Sequence, residues 1–196
     1  DLKSGIFFNM NFLKALNLDS NSIGSIEAST FEKLGELEWL SLSNNSINQL
    51  DRRTFETLFY LRKLNLSSNQ LEFVDQFVFA QLYNLACLDL SSNRIRTIEN
   101  FAFSQLNRLR DLYLNQQEHL ILAKNSLTGL ESIMNLYVSF SLVKGNVFNR
   151  QTLMNSLKPT RERYVSEDLI YLRTIYLIVK DDSLVVVEAN NRVNNC

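Results

Sequence analysis

LKALNLDSNSI (residues 13–23), LEWLSLSNNSI (37–47), LRKLNLSSNQL (61–71) and LACLDLSSNRI (85–95) are one motif written four times, each copy starting 24 residues after the last. Leucines hold positions 1, 4 and 6 of every copy, asparagine holds position 9 and an aliphatic residue position 11. The register continues past the motif. Position 14 is Ile26, Leu50, Val74 and Ile98, position 19 is Phe31, Phe55, Phe79 and Phe103, and position 22 is Leu34, Leu58, Leu82 and Leu106. A fixed period of this length marks a repeat array and takes precedence over local secondary-structure readings. One period earlier, Leu2, Phe7 and Met10 match positions 14, 19 and 22, so residues 1–12 read as the end of a repeat and the chain as a fragment.

The alternation explains the motif. In LxxLxL, positions 4 and 6 point to one side of a short extended segment, and 3, 5 and 7 to the other. A single such strand cannot bury its leucines, but stacked strands enclose a continuous apolar interior. Each buried leucine or phenylalanine contributes about 1.5–3 kcal/mol relative to exposure. The asparagine at position 9 falls where the strand ends and the chain turns inward. Its amide offers donors and an acceptor to backbone groups left unpaired between coils. Asn21, Asn45, Asn69 and Asn93 are therefore expected to form a structural ladder.

This pattern resembles the leucine-rich repeat family, in its 24-residue class with a phenylalanine spine, over residues 1 to about 116. The resemblance implies an α/β fold: a right-handed solenoid, or horseshoe, with short parallel strands on the concave face and an irregular or 3-10 convex side. That class is found mostly in secreted proteins and ectodomains, such as Toll-like receptors, Slit-type guidance proteins and small proteoglycans. It implies an extracellular glycoprotein that recognises a ligand in adhesion, receptor or innate-immune settings. Three departures stand against it: no N-terminal cysteine cap, no C-terminal cysteine cap and no transmembrane segment is present in the sequence.

The array is expected to cover residues 1–136, regular over 13–108 and irregular over 109–136, followed by a non-repeat segment at 137–196 that caps the open end. LRDLYL at Leu109 opens a fifth copy, but position 9 becomes Gln117 and position 11 His119. A second start fits eight residues later, with Leu120, Leu122, Asn125, Leu127 and Leu130 at positions 4, 6, 9, 11 and 14. On that reading 109–116 is truncated and Asn125 is the next rung. Beyond Leu136, Ser166-Glu167-Asp168 reads as a helix start, with Leu169, Leu172, Tyr176 and Val179 on one face. A rival reading makes LRTIYL from Leu172 a degenerate repeat strand. Lys180 to Ser183 then reads as a turn, and Leu184 to Val187 as a closing strand.

Composition excludes several functions. The 20 basic and 21 acidic residues nearly cancel, which argues against a partner held through phosphates. Nucleic acid is therefore not expected. The longest apolar run, LIYLRTIYLIV at 169–179, is shorter than the roughly 20 residues a bilayer requires and carries Arg173 at its middle. Cys87, Cys196 and the single His119 are too few for a zinc site, and the five glycines form no phosphate-cradling pattern, so neither cofactor, metal nor catalytic centre is expected.

A binding surface is a different matter. Positions 2, 3, 5, 7 and 8 are expected to be exposed on the concave side, with Trp39, Glu38, Arg62, Lys63, Asn65, Asp89, Arg110, Asp111 and Tyr113 as contact residues. Trp39 beside cationic and aromatic neighbours matches the composition of interface hot spots. Charges along this face balance, at four basic against four acidic, which suits a protein ligand or co-receptor. Cys87 falls on the same face, and pairs with Cys196 only if the tail folds back. Asn44 and Asn65 head glycosylation sequons, and Asn194 a rarer one. Sugar at Asn65 would block the concave centre. The alternatives are an assembly role, as a homodimer or spacer, and an intracellular scaffold, which sugar at Asn44 or Asn65 would exclude.

Overall fold

The computed structural model describes residues 1–117, 119–122, 125–130, 132–133 and 135–137, with the backbone alone of 138, 169–172, 175–180 and 183–187. In chain order the strands are β1 (Ala15–Asn17), β2 (Trp39–Ser41), β3 (Lys63–Asn65), β4 (Phe73–Val74), β5 (Cys87–Asp89) and β6 (Thr97–Ile98). They continue as β7 (Asp111–Leu114), β8 (Ile121–Leu122), β9 (Asn135–Val138), β10 (Leu169–Leu172), β11 (Ile175–Lys180) and β12 (Ser183–Val187).

The central leucine of each motif sets the register. Leu16, Leu40, Leu64, Leu88, Leu112 and Leu136 stand side by side in a parallel sheet ordered β1-β2-β3-β5-β7-β9. Across the coil a second parallel sheet, β4-β6-β8, adds a strand element to the convex side, where the sequence predicts irregular backbone. The position-1, -4 and -6 leucines of the second to fourth copies have no exposed surface, as the alternation requires. Phe7, Phe31, Phe55, Phe79 and Phe103 stack as a spine with centroids 5.8, 6.1, 6.3 and 6.3 Å apart. Near-parallel rings at this separation let every coil place one aromatic wedge against the next.

The ladder satisfies what each coil leaves unpaired. Asn69 Oδ1 accepts from Ile47 N at 3.0 Å, and its Nδ2 donates to Leu42 O, Leu66 O and Ser67 O at 2.9, 3.1 and 3.2 Å. Asn45 and Asn93 repeat the arrangement between their own coils. Asn21 is exposed and, among the described residues, its side chain bonds within its own turn, to Leu18 O and Asp19 O. Just before each rung, Ser20, Asn44, Ser68, Ser92 and Gln116 adopt left-handed backbone with φ between 53° and 58°. Short polar residues tolerate that region better than branched ones, which accounts for the serines and asparagine at position 8.

The fifth copy corrects the sequence reading. There is no second start at residue 117. Asp111 pairs with Asn135, Leu112 with Leu136 and Thr97 with Ile121, so the coil keeps the full 24-residue path. Gln117 takes the rung, accepting from Ile95 N at 3.0 Å and donating to Leu90 O at 2.7 Å. Asn125 is no rung; its backbone N donates to Asn100 Oδ1 and its carbonyl accepts from Phe101 N. Leu127 occupies the spine position at 3% exposure, and Leu120 is buried in place of the exposed His119.

The parallel sheet runs to Val138, two residues past the expected end of the array. Farther on, β10, β11 and β12 form an antiparallel meander, with Leu169 opposite Ile178 and Lys180 opposite Ser183. This replaces the helix expected from Ser166. Ile170, Tyr171, Ile175, Tyr176, Ile178 and Val179 are branched or aromatic, and that strand preference outweighs a helix-start signal. Residues 166–168 themselves lie outside the described residues.

Candidate ligand-binding face

The strands β2, β3, β5 and β7 present the nominated residues in rows one coil apart, because parallel pairing aligns like positions. Position 2 carries alternating charge over the first three copies, as Lys14, Glu38 and Arg62. Lys14 Nζ lies 2.9 Å from Glu36 and 3.4 Å from Glu38, and Arg62 Nε lies 3.5 Å from the other Glu38 oxygen. The hydrogen bond to Glu36 raises the Lys14 ammonium above its ordinary value. Glu38 thus bridges two coils at a solvent-accessible edge. Trp39 is half-buried at the start of β2, beside the exposed Arg62 and Lys63 across the pair. Arg110 is exposed two coils on, and Asp111 is half-buried, accepting from Asn135 Nδ2.

Position 5 differs from expectation. The sequence predicts exposure for Asn65, Asp89 and Tyr113, yet they retain 7%, 1% and 6% of their surface. The first two have local structural work. Asn65 Oδ1 accepts from Ser67 N at 2.9 Å and Asp89 Oδ1 from Ser91 N at 2.9 Å, as Asn17 Oδ1 does from Asp19 N at 2.8 Å. These side chains close each strand by mimicking a backbone turn. Where position 5 is Ser41, the Asp19 carboxylate of the preceding coil takes over, accepting from Ser41 Oγ and Ser43 N. The turn chemistry is readable in the Asn/Asp-x-Ser/Asp spacing.

Burial shifts the acids accordingly. Desolvation raises the Asp89 carboxyl above its ordinary value, against the lowering effect of its bonds from Ser91. Tyr113 stacks on Tyr137 at 4.2 Å, and burial first, then Tyr137 and the Asp111 and Asp89 charges, pushes its phenol far up. Cys87 packs against this tyrosine pair and is disulfide-bonded, not a free thiol; Cys196 lies outside the described residues. The two main sequons also part company. Asn44 is exposed and donates to Ser20 Oγ at 3.1 Å, whereas Asn65 is buried with its carbonyl oxygen engaged.

Alternation along the strands does not single out one further group. Phe59, Tyr60 and Tyr83 are exposed at positions 23 and 24, just ahead of the strands, with Arg108 in the equivalent place a coil later. Aromatic residues at positions that no other copy uses for core packing are the available signal.

The leucine-rich repeat family model matches residues 11–71 and 59–119, together more than half of the chain. The chain belongs to the leucine-rich repeat family. Among solved structures, this leucine-rich repeat chain is similar to TLR13 in a complex with ssRNA13, at 32% identity and a TM-score of 0.71 over 79% of this chain and 22% of that one. It is similar also to Toll in the Drosophila Toll–Spatzle complex, at 25% identity and a TM-score of 0.63 over 67% of this chain and 19% of that one. A leucine-rich repeat protein of Leptospira interrogans matches at 25% identity and a TM-score of 0.62, over 78% of this chain and 37% of that one. The chain therefore spans about a fifth of the length of the two Toll-type structures. No curated protein sequence gives a significant match. Among the described residues, no helix is long and apolar enough to cross a membrane.

Proposed function

We propose that this repeat array is a segment of an extracellular receptor-type ectodomain that recognises a protein ligand through the side of its concave sheet where β2 and β3 begin. The observation that carries the reading is the bridged row Lys14–Glu38–Arg62 with Trp39 half-buried beside it. It joins an aromatic anchor to charges already held in place, and such residues dominate binding at protein interfaces. The contact set narrows to Glu38, Trp39, Arg62, Lys63, Arg110 and Asp111, since Asn65, Asp89 and Tyr113 are buried. Asn44 is the glycosylation site of this reading, and Asn65 is unglycosylated. The similarity to Toll in its Spatzle complex supports a protein ligand. Single-stranded RNA is the second reading, favoured by the TLR13–ssRNA13 structure and opposed by the near-zero net charge of -1.

The test screens the full chain against an array of secreted proteins and ectodomains and against a 13-nucleotide single-stranded RNA. The double variant Trp39→Ala/Arg62→Ala is screened beside it. The expected result is a protein binder that weakens at least tenfold in the double variant while sedimentation is unchanged. Loss of self-association in its place supports the assembly role, and salt-sensitive RNA binding lost in the same variant supports the second reading.

A further inference from the structure

A second surface borders the concave face, where each coil returns to the strand. Phe59 and Tyr60 close the second copy of the repeat and Tyr83 and Asn84 the third, with Arg108 at the end of the fourth and Arg110 opening the fifth. Phe59, Tyr60 and Tyr83 are 46%, 56% and 42% exposed, unlike the wholly buried spine phenylalanines a few residues away. Side-chain bonds lock the row together across coils: Asn84 Nδ2 donates to Phe59 O at 2.7 Å, and Arg108 Nη1 donates to Asn84 Oδ1 at 2.7 Å. The backbone at Phe59 is thereby tied to the next coil, and Tyr83 Oη donates to Gln81 Oε1 at 2.8 Å, so less order has to be imposed on contact, which favours binding.

The charge along this ledge is graded. At its N-terminal end, Glu36 and Glu38 are matched by Lys14 and Arg62. At its C-terminal end, Arg108 and Arg110 form no ion pair among the described residues and are exposed. Nearly half-exposed aromatic side chains beside exposed guanidinium groups that no described carboxylate pairs suit a partner with apolar side chains followed by carboxylates. Asn44 stands at the other end of its strand, so a sugar there leaves the ledge clear.

We propose that this ledge docks a partner polypeptide segment that is acidic and anchored by apolar or aromatic side chains, separately from the concave edge. The segment lays its apolar residues on Phe59, Tyr60 and Tyr83 and its carboxylates on Arg108 and Arg110. The ledge borders the surface of the functional proposal and shares Arg110 with it, but Phe59, Tyr60, Tyr83 and Arg108 belong to the ledge alone and Trp39 to the other surface, so variants at Tyr83/Arg108 and at Trp39 tell the two apart.

The test uses the full chain as bait in a displayed random 12-residue peptide selection, followed by fluorescence-polarisation titration of the enriched peptides. Each is titrated against the unaltered chain, the Tyr83→Ser/Arg108→Glu variant and the Trp39→Ala variant; a 15-nucleotide oligouridylate is titrated alongside. Thermal melts establish that all three chains are equally folded, since the altered side chains lie outside the buried core. The expected result is peptides of net negative charge containing aromatic or large aliphatic residues. Their binding weakens at least tenfold in Tyr83→Ser/Arg108→Glu and is unchanged in Trp39→Ala. Enrichment of neutral or basic peptides, or binding lost only in Trp39→Ala, overturns the proposal. So does oligouridylate binding that depends on Tyr83 and Arg108 and exceeds that of every peptide, which would make the ledge a nucleic-acid surface.

Discussion

The second to fourth copies of the repeat and the coil from Leu109 to Ser132 follow the same 24-residue path with different side chains at the decisive places. In the regular coils an asparagine fills the rung and a phenylalanine the spine. In the later coil Gln117 and Leu127 stand there. The difference teaches that the path is specified by two physical tasks: an amide must reach both neighbouring backbones, and an apolar wedge must fill the interior. Strand pairing holds the register while either task passes to a different residue. Leucine is smaller than phenylalanine, and two residues beyond Leu127 the backbone comes close to the preceding coil. Gly129 has φ +97°, and a Cβ there would stand 2.3 Å from Ser104 Cα and 3.0 Å from Phe103 O.

That close approach is the sharpest way to break the comparison. Gly129→Ala forces a methyl group against backbone that cannot yield and strains a left-handed residue, so it should cost roughly 3 kcal/mol. Gln105→Ala, the same position one coil earlier, is exposed and should change stability by less than about 0.5 kcal/mol. Chemical denaturation measures both. Because each coil contacts only its neighbours, hydrogen exchange should show protection lost at Leu112 and Leu114 while Leu40 and Leu64 keep theirs. A fully stable Gly129→Ala chain would show that the later coil is looser than the contacts indicate.

The regular coils were legible because one residue type repeats at each task. Four asparagines, four phenylalanines and the leucine triplets in a common register leave no competing fold. The fifth coil departs from the sequence expectation because its rung keeps the chemistry of asparagine and not its identity. Gln117 carries the same amide as asparagine on one more methylene, whereas Asn125, which matches the letter, sits on the wrong part of the coil. The candidate face was only partly legible. Alternation correctly places position 5 away from the leucines, but it says nothing of Asn65 and Asp89 closing strands through Ser67 and Ser91. Phe59, Tyr60 and Tyr83 carry no signal in the alternation because they lie between the position-22 leucine and the next strand, outside the alternating segment.

The ladder gives a second, smaller test. Asn69 makes four bonds to three segments of backbone, and Asn69→Ala leaves those groups buried without partners, at a cost of about 2 kcal/mol. Gln117 shows two such bonds among the described residues, so Gln117→Ala should cost about 1 kcal/mol. The informative variant is Gln117→Asn. If the longer side chain is there because the fifth coil sits farther from its rung, asparagine cannot span the gap and behaves like alanine. If Gln117→Asn unfolds with the unaltered midpoint, the coil adjusts freely and the extra methylene has no structural meaning.

The smallest effect separates Asp89 from Asn65, which occupy the same position on neighbouring strands. Both close a turn, but only Asp89 must hold a charge while nearly wholly buried. Desolvation raises its folded-state value above the ordinary 3.8. Just above that ordinary value, the folded chain keeps a proton that the unfolded chain has released. Stability therefore falls as pH rises through the interval up to the raised value, and is level above it. An asparagine in place of Asp89 would make the same turn without the charge, as Asn17 and Asn65 do. Asp89→Asn should thus be more stable than the unaltered chain at pH 7, by less than about 1 kcal/mol, with the advantage vanishing as the pH falls below the ordinary carboxylate range. Urea midpoints at a series of pH values measure the difference. An Asp89→Asn chain less stable at neutral pH would mean that the carboxylate's bonds from Ser91 outweigh its burial, and position 5 would then favour the charged residue at the centre of the sheet.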